Sequence, residues 1–572
     1  MRPKTFFIGL LALSVPLLIV AQQQQSERID LNVIHLIKTA ELAPGGNGGG
    51  NGGGRGGRGP ARPPIMETLY NLTDRYGPRL TNSPQFRAAG DWAAGQLKEW
   101  GLSNVHLESF ATEPPASAAE EAAKADAEEA SGGARAPARR YAIPSWQMVG
   151  YSGAMVEPSY MPIIGYPQAW SGGTNGPLTG EATLVPPIQT MADMDKLHGK
   201  LTGKIVLTVA ELELALPTAP LARRYTDDEL NGLIPEVFPA GRGGGRGPQT
   251  MTPQEQQAFQ KRQTTFFQDE GVLATVTAST RGQSGIVFAS NGSSRAGDPT
   301  KNIPALAITA ENYNRIARLL EHNVPVKLSF DIKVQWDTSK TEAFNVIAEI
   351  PGATKPNEIV MVGGHFDSWH MGTGATDNGV GSVVAMEVMR ILKSLNLKMD
   401  RTVRMALWGG EEEGLLGSAA YVRDHFADPA DMKLKPEHSG FAGYFNVDNG
   451  SGKIRGIYLQ GNEMERPIFE QWFAAIKDLA PGAVTIRNTG GTDHQSFDAV
   501  GLPGFQFIQD PLDYDSRTHH SNADVFDRVQ QADIEQMAII ESYFVYNAAT
   551  RPDKLPRKDL PKPRGNGRGA AN

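Results

Sequence analysis

Between residues 359 and 524 the chain places three imidazoles and a series of carboxylates at or just after the ends of short apolar runs. Ile359–Gly364 leads into His365 and Asp367, and Thr402–Trp408 into Glu411, Glu412 and Glu413. Phe441–Val447 leads into Asp448, and Phe505–Ile508 into Asp510, with His519 and His520 shortly after. Asp377-Asn378-Gly379 opens the helical pattern that follows His365. Zinc favours imidazole nitrogen and carboxylate oxygen. Two His and three carboxylates can hold two ions, one His to each, with one carboxylate shared. Two such ions ~3.5–4 Å apart polarise a carbonyl and generate a nucleophile from water. A further carboxylate, free of metal, must take that water's proton. Adjacent Glu411 and Glu412 can supply one base and one ligand.

Each residue alone has a plainer reading. Asp377 could be an N-cap whose carboxylate satisfies backbone N–H groups. Three consecutive glutamates suit a solvated turn, and a lone strand-end His is commonly structural. Those readings weaken jointly if the segments share one sheet, because ligands gather at the carboxyl ends of parallel strands. The absence of cysteine removes thiolate metal sites, disulfides and thiol nucleophiles together. Any metal must be held by His, Asp and Glu.

The elements that must position these residues follow an α/β pattern. Phe344–Ile350, Ile359–Gly364, Thr402–Trp408, Phe441–Val447 and Phe505–Ile508 read as strands. Gly379–Leu395, Leu415–Phe426, Ile468–Leu479 and Val529–Asn547 read as helices between them. That alternation predicts a mostly parallel or mixed sheet with helices on both faces over residues 337–550. Residues 141–336 differ in texture. Strand-like runs (Ala182–Val185, Lys204–Val209, Leu273–Thr277, Gly285–Phe288, Ile303–Ile308, Val326–Ile332) are punctuated by Pro and Gly, with one helix at Ala310–Leu320. A separate β-rich domain is expected there.

Residues 22–140 read as helical (Arg28–Leu42, Ile65–Tyr76, Phe86–Trp100), interrupted by a tract with eleven glycines in the fifteen positions Gly45–Gly59. A second tract, Gly241–Gly247, lies in an insertion, and Glu113–Arg140 is rich in Ala, Glu and Pro. Such tracts cannot build a core and suit flexible loops. The first residues are basic, then apolar for about 16 residues, short of the ~20 that cross a bilayer. Ala21 and a Gln run follow, so residues 1–21 read as a secretory signal peptide. The mature protein is expected to be secreted or periplasmic, with no stable membrane insertion. Residues 551–572, basic and rich in Pro and Gly, are expected to be disordered. With 63 acids against 55 bases, the 572-residue chain has no broad basic footprint and excludes a dedicated nucleic-acid binder.

At His365-Phe366-Asp367-Ser368-Trp369 and Gly372–Gly379 the sequence resembles the M28 zinc peptidases. Glu411-Glu412-Glu413-Gly414, Asn446-Val447-Asp448 and His520–Asp524 complete the resemblance. Within the family, Gly363–Gly381 is most similar to the carboxypeptidase Q branch. Residues 141–336 are similar in position and texture to a protease-associated (PA) domain, through Gly203–Leu207 and Ile303-Pro304-Ala305. The resemblance implies two Zn2+, a peptide substrate and a homodimer. It implies that Asp377 bridges both ions, His365 and Asp448 complete one, and Glu412 and His520 the other. Glu411 is then the general base, and Asp367 orients His365. His520 is preferred to His519 because the family's ligand stands four residues before an acid, here Asp524.

Gly490–His494 is similar to the loop that lines the family's substrate pocket, which makes Asp493 and His494 substrate-binding candidates. A His at 494 departs from the carboxypeptidase Q branch and leaves open which peptide terminus is read. Tyr514–Arg517 is a second candidate for a substrate terminus, with an ordinary surface role for Arg517 the alternative. The leading reading is an exported di-zinc exopeptidase acting on short peptides or dipeptides. Its alternatives are aminopeptidase polarity, a one-zinc acyltransferase resembling glutaminyl cyclase, and a receptor-like protein without catalysis.

Overall fold

The computed structural model describes residues 27–42, 63–110, 143–230, 259, 262–263, 265–288, 301–479 and 482–563. The leader, the two glycine tracts, Glu113–Arg140 and residues 564–572 lie outside them.

Two sheets of eight strands organise the chain. Strand β1 (Ser103–Ser109) belongs to the first. The next strands all build the second: β2 (Ser145–Glu157), β3 (Met161–Pro162), β4 (Gly165–Pro167), β5 (Leu178–Leu184), β6 (Lys204–Leu207), β7 (Ala274–Ala278), β8 (Ala305–Ile308) and β9 (Lys327–Asp337). The chain then returns to the first sheet with β10 (Phe344–Ile350), β11 (Lys355–His365), β12 (Arg401–Trp408), β13 (Phe441–Asn446), β14 (Ile454–Tyr458), β15 (Ala483–Thr485) and β16 (Gly504–Gln509). The first sheet runs β1-β10-β12-β11-β13-β16-β14-β15. Its centre, β12-β11-β13-β16, is parallel throughout, and antiparallel neighbours flank it.

Successive side chains of a strand face opposite ways, and β11 shows why its sequence is apolar on both counts. Val360 and Val362 enter the core beneath the helices Val380–Ser394 and Gln531–Thr550. Ile359 and Met361 enter the opposite core, beneath Leu416–His425 and His494–Asp498. A central parallel strand is covered on both faces and reads as a continuous apolar run. The mixed α/β sheet with helices on both faces is the expected fold.

Differences from the expected elements have local causes. Gly285–Phe288 forms no strand; only Phe288 bridges, to Ser521 of the first sheet's loops. Strand β2 went unread because Gly150 and Gly153 interrupt its alternation, yet it pairs along its length with β9. The tail differs most. Residues 551–563, expected to be disordered, pack on the first sheet's domain. Leu555 is 2% exposed, Arg551 pairs with Glu27 at 3.0 Å, and Lys558 with Asp498 at 2.5 Å. The basic composition there meets acids and free carbonyls of the domain, a match that composition alone does not reveal. Among the described residues, no helix is long and apolar enough to cross a membrane.

An aromatic cluster closes the second face. Phe497 stacks on Tyr444 at 4.5 Å and on Phe441 at 5.2 Å between centroids, and Trp408 and Phe426 tilt onto it at 6.0 Å. Its ring is fully buried. Phe497→Ala is expected to cost about 3–5 kcal/mol, read as a lowered urea midpoint. A loss below about 1 kcal/mol would show that the helix His494–Asp498 is not anchored through this ring.

Candidate metal centre

Because β11, β12, β13 and β16 are parallel, their carboxyl ends meet at one edge. His365 ends β11, Glu411 and Glu412 follow β12, Asp448 follows β13, and His519 and His520 lie beyond β16. Asp377 reaches the same point from the loop before the helix Val380–Ser394. His365 Nε2 lies 3.2 Å from Asp377 Oδ1 and 3.3 Å from Asp448 Oδ1. His520 Nε2 lies 3.3 Å from Asp377 Oδ2 and 2.9 Å from Glu412 Oε2. Asp377 thus stands between two imidazoles, one carboxylate oxygen toward each.

The plainer readings fail on geometry. Asn378, not Asp377, serves the following helix, its Oδ1 accepting from Gly381 N at 2.8 Å. The glutamates are no solvated turn: Glu411 and Glu413 are each 9% exposed, and the Glu412 side chain is 2% exposed.

The donors fit a cation. Asp377 Oδ2 and Glu412 Oε1 are buried without a hydrogen-bond partner. His365, Asp377 and Asp448 offer ligand atoms within 4.8 Å of one another, and so do Asp377, His519 and His520. Burial, with the charge of neighbouring carboxylates, pushes Glu411 and Glu412 well above the usual carboxylate range. Burial lowers the His365 pKa, but Asp448, Glu411 and the flanking aspartates outweigh it and hold the imidazole well above its ordinary value. A buried anionic set of this kind is costly unless a positive charge joins it. A cavity of about 440 Å³ opens over it. Its lining, which includes Asp448, Asn449, Gly490, Thr492, Tyr514 and Asp515, contains no Lys or Arg among the described residues.

Around the donors lies a shell that sequence reasoning caught in part. Asp367 was expected to orient His365, but His365 Nδ1 meets the Asp367 main-chain carbonyl at 3.0 Å, while the carboxylate is 3.7 Å away. That carboxylate instead accepts the N–H groups of Glu411 and Glu412 at 3.2 Å each and Thr81 Oγ1 at 2.9 Å. Asp524 is a residue that sequence reasoning used only as a spacing mark. Its carboxylate accepts from Thr376 N at 2.6 Å, Thr376 Oγ1 at 2.9 Å and Asp377 N at 3.2 Å, fixing the backbone that aims Asp377.

Arg79 was missed. Fully buried, it donates to the carbonyls of Phe366 (2.7 Å), Leu72 (2.8 Å), Thr373 (3.0 Å) and Gly374 (2.8 Å). It pins the 366–374 loop from behind. Gly374 there has φ +65°, and a Cβ would meet the Ser368 side chain at 2.3 Å. The signal available in sequence was Arg79 itself, lone between Pro78 and Leu80 with no acid beside it.

The substrate candidates separate. Thr492, Tyr514 and Asp515 line the cavity; Asp493, His494 and Arg517 do not. His494 is fully buried behind the loop, its Nε2 against Gln460 Nε2 and the Thr489 carbonyl. Burial lowers its pKa to about 4. Expected to touch substrate, it instead packs the rear of the loop, because residue 494 begins a helix whose face turns inward. Asp493 is also fully buried, and burial pushes its carboxyl up to about 7. His519 does face the cavity, with Nε2 4.0 Å from Asp377 Oδ2.

Paired donor sets at the carboxyl edge of a mixed sheet, with a free carboxyl beside them, define a metal-dependent hydrolase acting in a half-open cavity. Residues 345–545 match the model of Peptidase family M28, and the chain is a metallopeptidase similar to the members of that family. It is 26% identical to human carboxypeptidase Q over 492 residues, covering 86% of each chain. The M28 peptidase precursor from Shewanella amazonensis shares the fold, with a TM-score of 0.61 at 21% identity over 93% of this chain and 99% of that one. A zinc aminopeptidase from Bacillus subtilis does so with a TM-score of 0.51 at 18% identity, over 86% and 96%.

Outer groups that orient ligands typically change metal affinity by about 10–100-fold when altered. Asp367→Asn, which leaves one of two acceptors for the Glu411 and Glu412 N–H groups, is expected to weaken metal retention by about that factor. Competition against a chelator measures it. Unchanged retention would show that the 409–414 turn holds itself.

Proposed function

We propose that this protein is an exported di-zinc exopeptidase that removes a residue from the C-terminal side of short peptides, dipeptides included. The observation that carries the reading is Asp377 between His365 and His520, with Glu411 lining the same cavity. His365, Asp377 and Asp448 would hold one ion, and Asp377, Glu412 and His520 the other. Zinc bound there supplies Lewis acidity to the scissile carbonyl and makes water a nucleophile near neutral pH.

The chain's own groups do the rest. Glu411, buried on the cavity wall, takes the proton of the attacking water and returns it to the leaving amine, the shuttle a general base performs. Asp367 and Asp524 fix the backbone at 411, 412 and 377, so the donors need no reorganisation when substrate arrives. Thr492, Tyr514 and Asp515 form the walls against which the peptide lies. The likeness to carboxypeptidase Q along most of both chains supports C-terminal polarity. The departure at His494 does not weigh against it, since His494 stands behind the pocket wall.

Aminopeptidase polarity is the second reading, favoured by the fold shared with the Bacillus subtilis enzyme. A one-zinc acyltransferase would leave one of the two donor sets idle, and a receptor-like protein would need neither. The second sheet we read as a PA-like domain that shapes the cavity's rim.

Glu411→Gln should retain zinc and lose roughly 10²–10⁴-fold in kcat. Zinc content by mass spectrometry alongside turnover separates this from a ligand role, for loss of metal would move the base to Glu412. Polarity is tested with tripeptides that are free, N-acetylated or C-amidated, with and without chelator. Chelator-sensitive cleavage that tolerates acetylation and fails on amidation is expected. A requirement for the free amine alone would establish the aminopeptidase reading, and no cleavage by zinc-loaded protein would remove the peptidase reading.

A further inference from the structure

The parallel centre of the first sheet carries a buried polar line that the metal chemistry does not use. Trp408 ends β12, Tyr444 and Asn446 lie two apart on β13 and so share a face, and Gln506 lies on β16. All four are fully buried. Trp408 Nε1 donates to the Tyr444 hydroxyl at 2.7 Å, and that hydroxyl donates to Asn446 Oδ1 at 2.5 Å. Gly363 of β11 leaves room for the crossing, since a Cβ there would stand 3.2 Å from the Tyr444 hydroxyl. Asn446 Nδ2 donates to Gln506 Oε1 at 2.7 Å and to Thr492 Oγ1 at 2.9 Å. Thr492 is the last member of the line, 3% exposed, and it lines the cavity over the candidate donors.

The direction of this line is fixed from one end. An indole N–H donates and cannot accept. The Tyr444 oxygen therefore receives from Trp408 and turns its own proton toward Asn446. That sets the Asn446 carbonyl toward Tyr444 and its NH2 group toward Thr492 and Gln506, because the two ends of an amide are told apart by the groups around them. Both amide hydrogens are then used, and the Thr492 oxygen is held as an acceptor. Its own proton must point elsewhere. Among the described residues no acceptor stands within hydrogen-bond reach of it. Asp493, next in the chain, does not take it, since neither of its carboxylate oxygens has a hydrogen-bond partner.

A hydroxyl proton shut away from water without an acceptor is costly, and the cavity is the side from which an acceptor can come. A peptide brings such acceptors in its main-chain carbonyl oxygens. Thr492 offers one neutral donor, in a lining that holds no Lys or Arg among the described residues. That chemistry suits an uncharged carbonyl.

We propose that Thr492 donates a hydrogen bond to a main-chain carbonyl of the bound peptide, and that Trp408, Tyr444 and Asn446 are positioning residues that keep its proton turned to the cavity. This rests on the peptidase reading above and holds for either polarity. The test compares wild-type protein with Thr492→Val, Thr492→Ser, Tyr444→Phe and the Thr492→Val, Tyr444→Phe double variant on one free tripeptide, with zinc content measured for each. Thr492→Val keeps the branched shape and should lose roughly 3–10-fold in kcat/KM, the scale of one neutral hydrogen bond, with zinc kept. Thr492→Ser should restore most of that loss. Tyr444→Phe lets the Asn446 amide turn over, so it should lower kcat/KM by itself and have no further effect in the Thr492→Val background, the mark of two residues acting through one contact. Wild-type activity in Thr492→Val overturns the assignment alone. A Tyr444→Phe variant that loses nothing, or loses equally in both backgrounds, overturns the positioning role. Loss of zinc from Thr492→Val overturns the assignment in favour of a part in holding the metal edge. A zinc-loaded wild type that cleaves no tripeptide removes the assignment together with the peptidase reading.

Discussion

Everything at the active edge depends on one electrostatic constraint: several carboxylates are held out of water within a few ångströms of each other. Glu411, Asp448 and Asp377 are each no more than 9% exposed, as is Glu413, and two of the inward oxygens have no hydrogen-bond partner. Isolated buried charges of one sign are among the costliest arrangements in a protein interior. Such a set persists only where the surrounding fold is rigid and a cation completes it. The parallel core of the first sheet supplies the rigidity. Four strands deliver their loops to one edge, and helices press on both faces so that the loops cannot retreat.

A second ring of interactions aims the donors. Asp524 receives the backbone N–H groups of Thr376 and Asp377, and Asp367 those of Glu411 and Glu412. Both are acids, so they add to the negative charge they organise. Arg79 offsets part of it from behind while bonding only to carbonyls. Burial lowers its pKa to about 10, with Asp524, Asp367 and Asp377 acting against that fall, so it remains a cation at neutral pH. The donor set is thus neutral enough to fold yet anionic enough toward the cavity to demand a metal.

The legibility of this arrangement in sequence follows its periodicity. Strands β10 to β13 and β16 are apolar runs that end on polar residues, and both the sheet and the edge where the candidate donors meet could be read from them. The two His and three acids were visible because chemistry needs those types at those ends. What the sequence concealed depends on side-chain direction. Asp493 and His494 share a motif with Gly490, Gly491 and Thr492, but the helix beginning at His494 turns them inward and leaves the other three in the cavity. Asp367 was expected to act through its carboxylate on His365, whereas the main chain does that work and frees the carboxylate for the next turn. Arg79 and the packed tail were hidden for a common reason. Their partners are backbone carbonyls or acids remote in sequence, which no local pattern announces.

The second sheet is bound to this edge, not merely adjacent to it. Trp170 meets Trp369 edge-on at 6.4 Å, and Trp369 meets His520 at 5.9 Å, so a chain of aromatic contacts runs from the inserted block to a candidate ligand. His370 adds a hydrogen bond to the Pro167 carbonyl at 2.7 Å. On the opposite side of the cavity, Arg224 reaches Asp510 at 2.9 Å and Asp533 at 2.8 Å, and Ser516 donates to the Leu221 carbonyl at 2.6 Å. Asp510 also holds Arg455. These contacts hold the inserted block against the loops that carry the candidate donors. The candidate donors thus belong to the loops of one sheet, and those loops are fastened on both flanks to the other.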